Sequence, residues 1–173
     1  KSNIILLFTI LSSIICNSQD FEKIILDVSD TSNLYVNDGD SKELYYLKLI
    51  PKEKIKGAIV ILPSGRETTE DLIKQISIPK LAFDKGIVTI IPSINWGTEN
   101  RKVEIEILDK IFKEVIDLHK IPKEKFVLGG LSNGGMISLI YTQQSVKDKN
   151  NTLLQPKGVF GLDVPLDKAH LYE

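Results

Sequence analysis

One stretch of the chain has residue types and spacing suited to covalent chemistry. Gly129-Gly130-Leu131-Ser132-Asn133-Gly134-Gly135-Met136 contains the pattern Gly130-x-Ser132-x-Gly134. A serine between a strand and a helix, on a turn tight enough to need flanking glycines, holds its hydroxyl clear of the sheet edge, where it can attack a carbonyl carbon. The amide of the next residue, Asn133, then opens the helix and points its N–H at the oxyanion that develops. The competing uses of a glycine-rich turn fit less well. A phosphate-cradling loop needs Lys where this chain has Gly135, and no Gly-x-Gly-x-x-Gly can be drawn through Gly129, Gly130 and Gly134. A purely structural glycine turn stays open as the alternative.

The flanking sequence supplies the elements this pattern requires. Lys125-Phe126-Val127-Leu128 reads as a buried strand leading into the motif, and Gly134 to Gln144 as the helix leaving it. Upstream, Gly57 to Leu62 (GAIVIL) and Ile87 to Ile91 are continuous apolar runs of the kind buried on both faces of a parallel sheet. Between them Thr69 is the expected N-cap of a helix over 70–77, with a second helical stretch over 79–85 and Gly86 as its stop. Val103, Ile107, Leu108, Ile111, Phe112, Val115 and Ile116 recur at helical spacing and predict an amphipathic helix from about Asn100 to His119, broken by Pro122. Residues 92–97, with Trp96, read as a loop. Gly158 to Leu162 is a further strand, and Phe21–Asp27 with Glu43–Ile50 read as two antiparallel strands joined by the polar segment 30–41. Strand and helix alternation after a pair of antiparallel strands predicts an α/β fold with a mostly parallel sheet.

Serine chemistry at neutral pH needs a base, normally histidine, held by an acid. The sequence has two histidines. His119 ends the amphipathic helix, at the opposite end of the following strand from Ser132, and reads as a surface or helix-terminal residue. His170 comes after Asp163 and Asp167, beyond the last predicted strand.

At the motif the sequence resembles the α/β-hydrolase superfamily. Gly-Leu-Ser-Asn-Gly-Gly looks like the nucleophile elbow of secreted esterases, polyhydroxybutyrate-depolymerase-like enzymes and prolyl-oligopeptidase-like peptidases, and the resemblance covers about Glu43 to Leu162. It implies that Ser132 is the nucleophile. It also implies that the loop after the 57–62 strand gives the second oxyanion-hole amide, which by position falls at Ser64 or Gly65. Here Pro63-Ser64-Gly65-Arg66 stands where the family commonly has His-Gly. The family order of nucleophile, acid and base matches Ser132, Asp163, His170, but acid and histidine usually follow separate later strands, and seven residues leave no room for one. Asp163 is the candidate acid. The expectation is an α/β-hydrolase fold incomplete at its C-terminus, with about two further strands and the base histidine beyond residue 173, and little turnover from residues 19–173 alone.

The other end carries a different signal. Lys1 precedes an uncharged apolar run, Ile4 to Ile15, of signal-peptide length and too short to cross a bilayer of about 30 Å. Small side chains at Cys16 and Ser18 place the cut before Gln19, so residues 1–18 read as a signal peptide and 19–173 as the N-terminal part of the hydrolase domain. The sole methionine is Met136, so either residue 1 is not the start of translation or the initiator has been dropped. Cys16, the only cysteine, raises lipid anchoring as an alternative, although Ile15 is bulky for that processing. The mature domain would then have neither a disulfide nor a thiolate metal site, which suits a bacterial envelope.

Composition bounds the rest. With 173 residues, 42% hydrophobic and 26% charged, the chain is a globular domain or part of one. Its net charge of −1 lacks the excess cation that nucleic acid binding needs. No metal site and no cofactor is implied, and no transmembrane span is expected in the mature chain. The reading is therefore an exported, periplasmic or extracellular serine hydrolase acting on a small-molecule ester, or on an amide or peptide. The alternative is a non-catalytic hydrolase-fold protein that binds a carbohydrate, peptide or partner.

Overall fold

The computed structural model describes residues 20–26, 34–36, 44–65, 67–98 and 101–165. The predicted signal peptide, Cys16 and His170 lie outside them. Among the described residues no helix is long and apolar enough to cross a membrane.

Six strands form the main sheet: β1 (Glu22–Ile25), β3 (Tyr45–Leu49), β4 (Gly57–Leu62), β5 (Ile87–Pro92), β7 (Phe126–Leu131) and β8 (Gly158–Leu162), in the spatial order β1-β3-β5-β4-β7-β8. β3 runs antiparallel to both of its neighbours, β1 and β5, while β5, β4, β7 and β8 are parallel. The apolar runs are thus the parallel strands, as expected of strands covered on both faces. β2 (Leu34–Val36) and β6 (Ile94–Thr98) pair antiparallel as a separate ribbon. The predicted loop over 92–97 is therefore a strand, and Trp96 lies in it; its pairing partner comes from the polar segment that had read as a simple connection.

Helices α1 (Thr69–Gln75) and α2 (Ile78–Asp84) follow β4, α3 (Arg101–Leu118) follows β6, and α4 (Asn133–Lys147) follows β7. The N-cap of α1 is Thr68 rather than Thr69: the Thr68 hydroxyl accepts from the Asp71 N–H at 3.1 Å. Thr69 is taken elsewhere, buried with its hydroxyl donating to Glu70 at 2.6 Å and lying 2.9 Å from that of Tyr45.

From β4 the chain steps to β5 on one side, then back past β4 to β7 and on to β8. With right-handed crossovers, these opposed steps put α1 and α2 on one face and α3 and α4 on the other. The period-two alternation of the strands sorts the core accordingly. Ala58, Val60, Leu62, Val88, Ile90, Phe126 and Leu128 pack with Leu108, Ile111, Phe112, Ile137 and Tyr141, whereas Ile61 and Ile91 pack with Tyr45, Leu47 and Leu72. The α3/α4 side is pinned by Phe112, whose ring centroid is 5.1 Å from both Phe126 and Tyr141, and by Asp109, which accepts from the Tyr141 hydroxyl at 2.8 Å and the Leu154 N–H at 2.7 Å. The opposite face is less fully covered. A groove of about 610 Å³ opens there at the N-terminal ends of β4, β5 and β7, lined by Ile59, Ile87 and Val127 with Ile78 and Leu81 of α2.

Candidate active site

Ser132 sits where β7 hands over to α4, at φ 46° and ψ −113°. This backbone region is sparsely populated by residues with a side chain and persists only when neighbouring contacts enforce it. Two hydrogen bonds do so: the Ser132 N–H donates to the Leu162 carbonyl at 2.8 Å, and the Ser132 carbonyl accepts from the Met136 N–H at 3.1 Å, starting the helix. The side chain is left out of this work, since Ser132 makes no side-chain cap bond although it occupies the N-cap position. A serine N-cap ordinarily spends its hydroxyl on the helix.

The two motif glycines are required by close approach. A Cβ on Gly130 would lie 2.5 Å from the Gly134 carbonyl carbon and 2.7 Å from the Leu62 oxygen; one on Gly134 would lie 2.3 Å from the Pro63 oxygen and 2.4 Å from that of Leu62. All of these are backbone atoms. The spacing therefore lets the elbow press against the C-terminal end of β4, whose last residue, Leu62, is in register with Gly130.

That contact brings the residues singled out in the sequence to one sheet edge. Pro63, Ser64 and Gly65 leave β4 beside the elbow. Asn133 opens α4, whose first-turn N–H groups have no carbonyl within the helix to bond. Asp163 directly follows Leu162, the residue whose carbonyl holds the Ser132 N–H; it is exposed, with φ 52°. Thus Ser132, Asn133, Ser64, Gly65 and Asp163 all stand at the C-terminal ends of the adjacent strands β4, β7 and β8, where open parallel sheets place their ligands. The apolar groove opens at the other ends of the same strands and does not belong to this site.

His119 is not brought in. It follows α3, with its Nε2 buried and without a hydrogen-bond partner among the described residues. Burial, with the Lys48 charge second, holds its imidazole below the ordinary histidine range, against a smaller opposing pull from Glu22. No described histidine accompanies Ser132.

The sequence reading passed over Glu67. Its carboxylate is buried, 8% exposed, and Oε2 accepts from both the Ser64 N–H at 3.0 Å and the Ser64 hydroxyl at 3.1 Å. The Glu67 N–H returns to the Ser64 carbonyl at 3.2 Å, so the two residues bond to each other in both directions. The signal was legible: Ser64-x-x-Glu67 has capping-box spacing, used here to link two residues just before α1 rather than to cap it.

No family model matches the chain, and no curated protein does either. Solved structures do. Fluorophosphonate-binding serine hydrolase F of Staphylococcus aureus is similar over 73% of this chain and 53% of its own, at 12% identity and a TM-score of 0.54. The chain has the α/β-hydrolase fold. A sugar hydrolase from Lactococcus lactis aligns over 83% of this chain and 53% of its own (20% identity, TM-score 0.55), and a thermostable carboxyl esterase from Bacillus coagulans over 82% and 43% (15% identity, TM-score 0.55). The chain thus spans about half the length of these structures. Its four parallel strands, with β4 between β5 and β7, hold Ser132 at the C-terminal end of β7.

Proposed function

We propose that the chain is the nucleophile-bearing part of an exported serine hydrolase that cleaves an ester bond, with Ser132 as nucleophile. The carrying observation is the elbow itself: a serine in a strained positive-φ conformation, anchored through its backbone and with its hydroxyl left out of helix capping. In this reading the Ser132 oxygen attacks the ester carbonyl carbon, and the Asn133 N–H with one N–H from the Ser64–Gly65 loop carries the charge on the carbonyl oxygen. Collapse expels the alcohol and leaves an acyl-serine, which water hydrolyses to regenerate Ser132 and release the acid. Each half needs a base that takes a proton from the attacking oxygen and gives it to the departing one. Asp163 is proposed as the acid that orients that base, and the base itself as a histidine outside the described residues. Esters are preferred to amides because esterases recur among the structural neighbours. Export rests on the Ile4 to Ile15 run behind Lys1.

That no histidine among the described residues accompanies Ser132 favours a second reading, a hydrolase-fold protein that binds a ligand without turning it over. The two are separated by exposing the protein, as its native organism produces it, to a fluorophosphonate probe beside a Ser132→Ala control, with intact mass as the readout. One adduct that disappears in the control supports the hydrolase. Wild-type protein that gains no mass, while binding ligand normally, refutes it in favour of the binding protein.

A further inference from the structure

Two facts about the loop after β4 define which of its amides faces the elbow. The Ser64 N–H and hydroxyl both converge on the one oxygen of Glu67, 3.0 and 3.1 Å away, and the Ser64 carbonyl receives the Glu67 N–H at 3.2 Å. In a trans peptide the C=O and N–H point in opposite directions, and the described chain has no cis bond. Turning the Ser64 N–H towards Glu67 therefore turns the Pro63 carbonyl the other way, against Gly134 at the start of α4, where its oxygen is found. By the same rule, holding the Ser64 carbonyl against the Glu67 N–H turns the Gly65 N–H away from Glu67, to the side the Pro63 carbonyl faces.

We propose that Glu67 is a positioning residue for the oxyanion hole: its carboxylate withdraws the Ser64 N–H from the donor set and orients the Gly65 N–H as the second donor beside Asn133. This inference rests on Ser132 being the nucleophile. A buried carboxylate is expensive unless its bonds are made, and bonds to an ionised acceptor are about twice as strong as neutral ones, so the clamp is stiff as well as specific. A stiff donor matters because an oxyanion donor acts only where the charge develops; removing one costs roughly 10²–10³ in kcat.

The test compares wild type, Glu67→Ala, Glu67→Gln and Glu67→Asp of the natively produced protein, in ester hydrolysis and in fluorophosphonate labelling of Ser132. Loss of the clamp in Glu67→Ala is expected to lower kcat about 10- to 100-fold with KM within about twofold, since the lost contact forms only in the transition state. Glu67→Gln keeps an oxygen that accepts both bonds and should hold kcat within about threefold of wild type. Glu67→Asp keeps the charge but pulls it back by one methylene, so it should behave like Glu67→Ala, and it carries the test should the alanine variant fail to fold. A kcat unchanged or raised in Glu67→Ala or Glu67→Asp, or a glutamine variant as poor as alanine, overturns the role of Glu67. Those outcomes leave the hydrolase reading standing as long as wild-type Ser132 is labelled. An unlabelled wild type is instead the failure of the parent reading.

Discussion

Gly134 lies so close to Pro63 that a methyl group on its α-carbon would sit 2.3 Å from the Pro63 carbonyl oxygen. Residues far apart in the chain are thereby fixed together: the helix that follows Ser132 and the loop proposed to complete the oxyanion hole meet backbone to backbone. Gly134→Ala would gain about 1 kcal/mol in helix propensity. The clash is with backbone on both the Pro63 and Leu62 sides, which cannot rotate away as a side chain could, and overpacking of this kind costs about 1–3 kcal/mol. The variant should therefore be less stable in chemical denaturation, and it should label more slowly with a fluorophosphonate because the loop is pushed off the elbow. Wild-type stability and labelling would show that the two backbones can part without consequence.

The conformation of Ser132 gives a second prediction, independent of catalysis. A side chain at φ 46° and ψ −113° stores on the order of 1–3 kcal/mol, and alanine would store as much as serine. Glycine relieves the strain but loosens the unfolded chain, which costs back about 0.4–1 kcal/mol. Ser132→Gly should therefore be about 1 kcal/mol more stable than Ser132→Ala in urea titrations. A glycine variant less stable than alanine, by the roughly 0.4–1 kcal/mol that glycine costs through the unfolded chain, would mean that the elbow is not strained.

Asp148 supplies a pH dependence remote from the site. Its carboxylate accepts from the Thr152 hydroxyl at 2.7 Å and from the N–H groups of Leu153, Asn150 and Thr152, and these bonds hold its pKa down to about 2. A folded-state value below the ordinary carboxylate range means the ionised form is the one that supports the fold. The support is complete above the unfolded value near 3.8 and is lost as pH falls from there through about 2. Amide hydrogen exchange at Thr152 and Leu153 should accelerate relative to the intrinsic rate across that window, and Asp148→Asn should show no such transition. Protection that stays constant to pH 2 in wild type would remove Asp148 as the clasp of this loop.

How far the sequence could be read depended on whether the determining partner was near in the chain. GAIVIL, the Ile87 run and the Val103 to Ile116 periodicity declare themselves because burial on both faces, or on one stripe, leaves its period in the residues themselves. The elbow was legible for the same reason: strand, glycines, serine and helix are contiguous. β6 was not, because Pro92, Ser93 and Gly97 look like loop chemistry, and only a partner from 34–36 makes 94–98 a strand. The N-cap shifted from Thr69 to Thr68 because Thr69 is claimed by Tyr45, a residue of β3 that no local pattern announces. Glu67 had a readable spacing, but nothing local sets it apart from the other acids beside the start of α1. What separates it from Glu70 and Asp71 is burial, set by how the loop lies on the elbow.

β4 is flanked in the sheet by two strands that are both made after it. As the chain emerges from the ribosome, GAIVIL therefore appears with neither edge closed. β5 seals one edge once α1 and α2 have been laid across, and β7 seals the other only after the eighteen residues of α3 are out. Parallel pairing must wait for its crossover and is correspondingly slow. Ser132 and the loop it faces thus meet at the closing step of the central sheet, and until then the newborn chain presents the kind of open apolar strand that invites self-association and that chaperones shield.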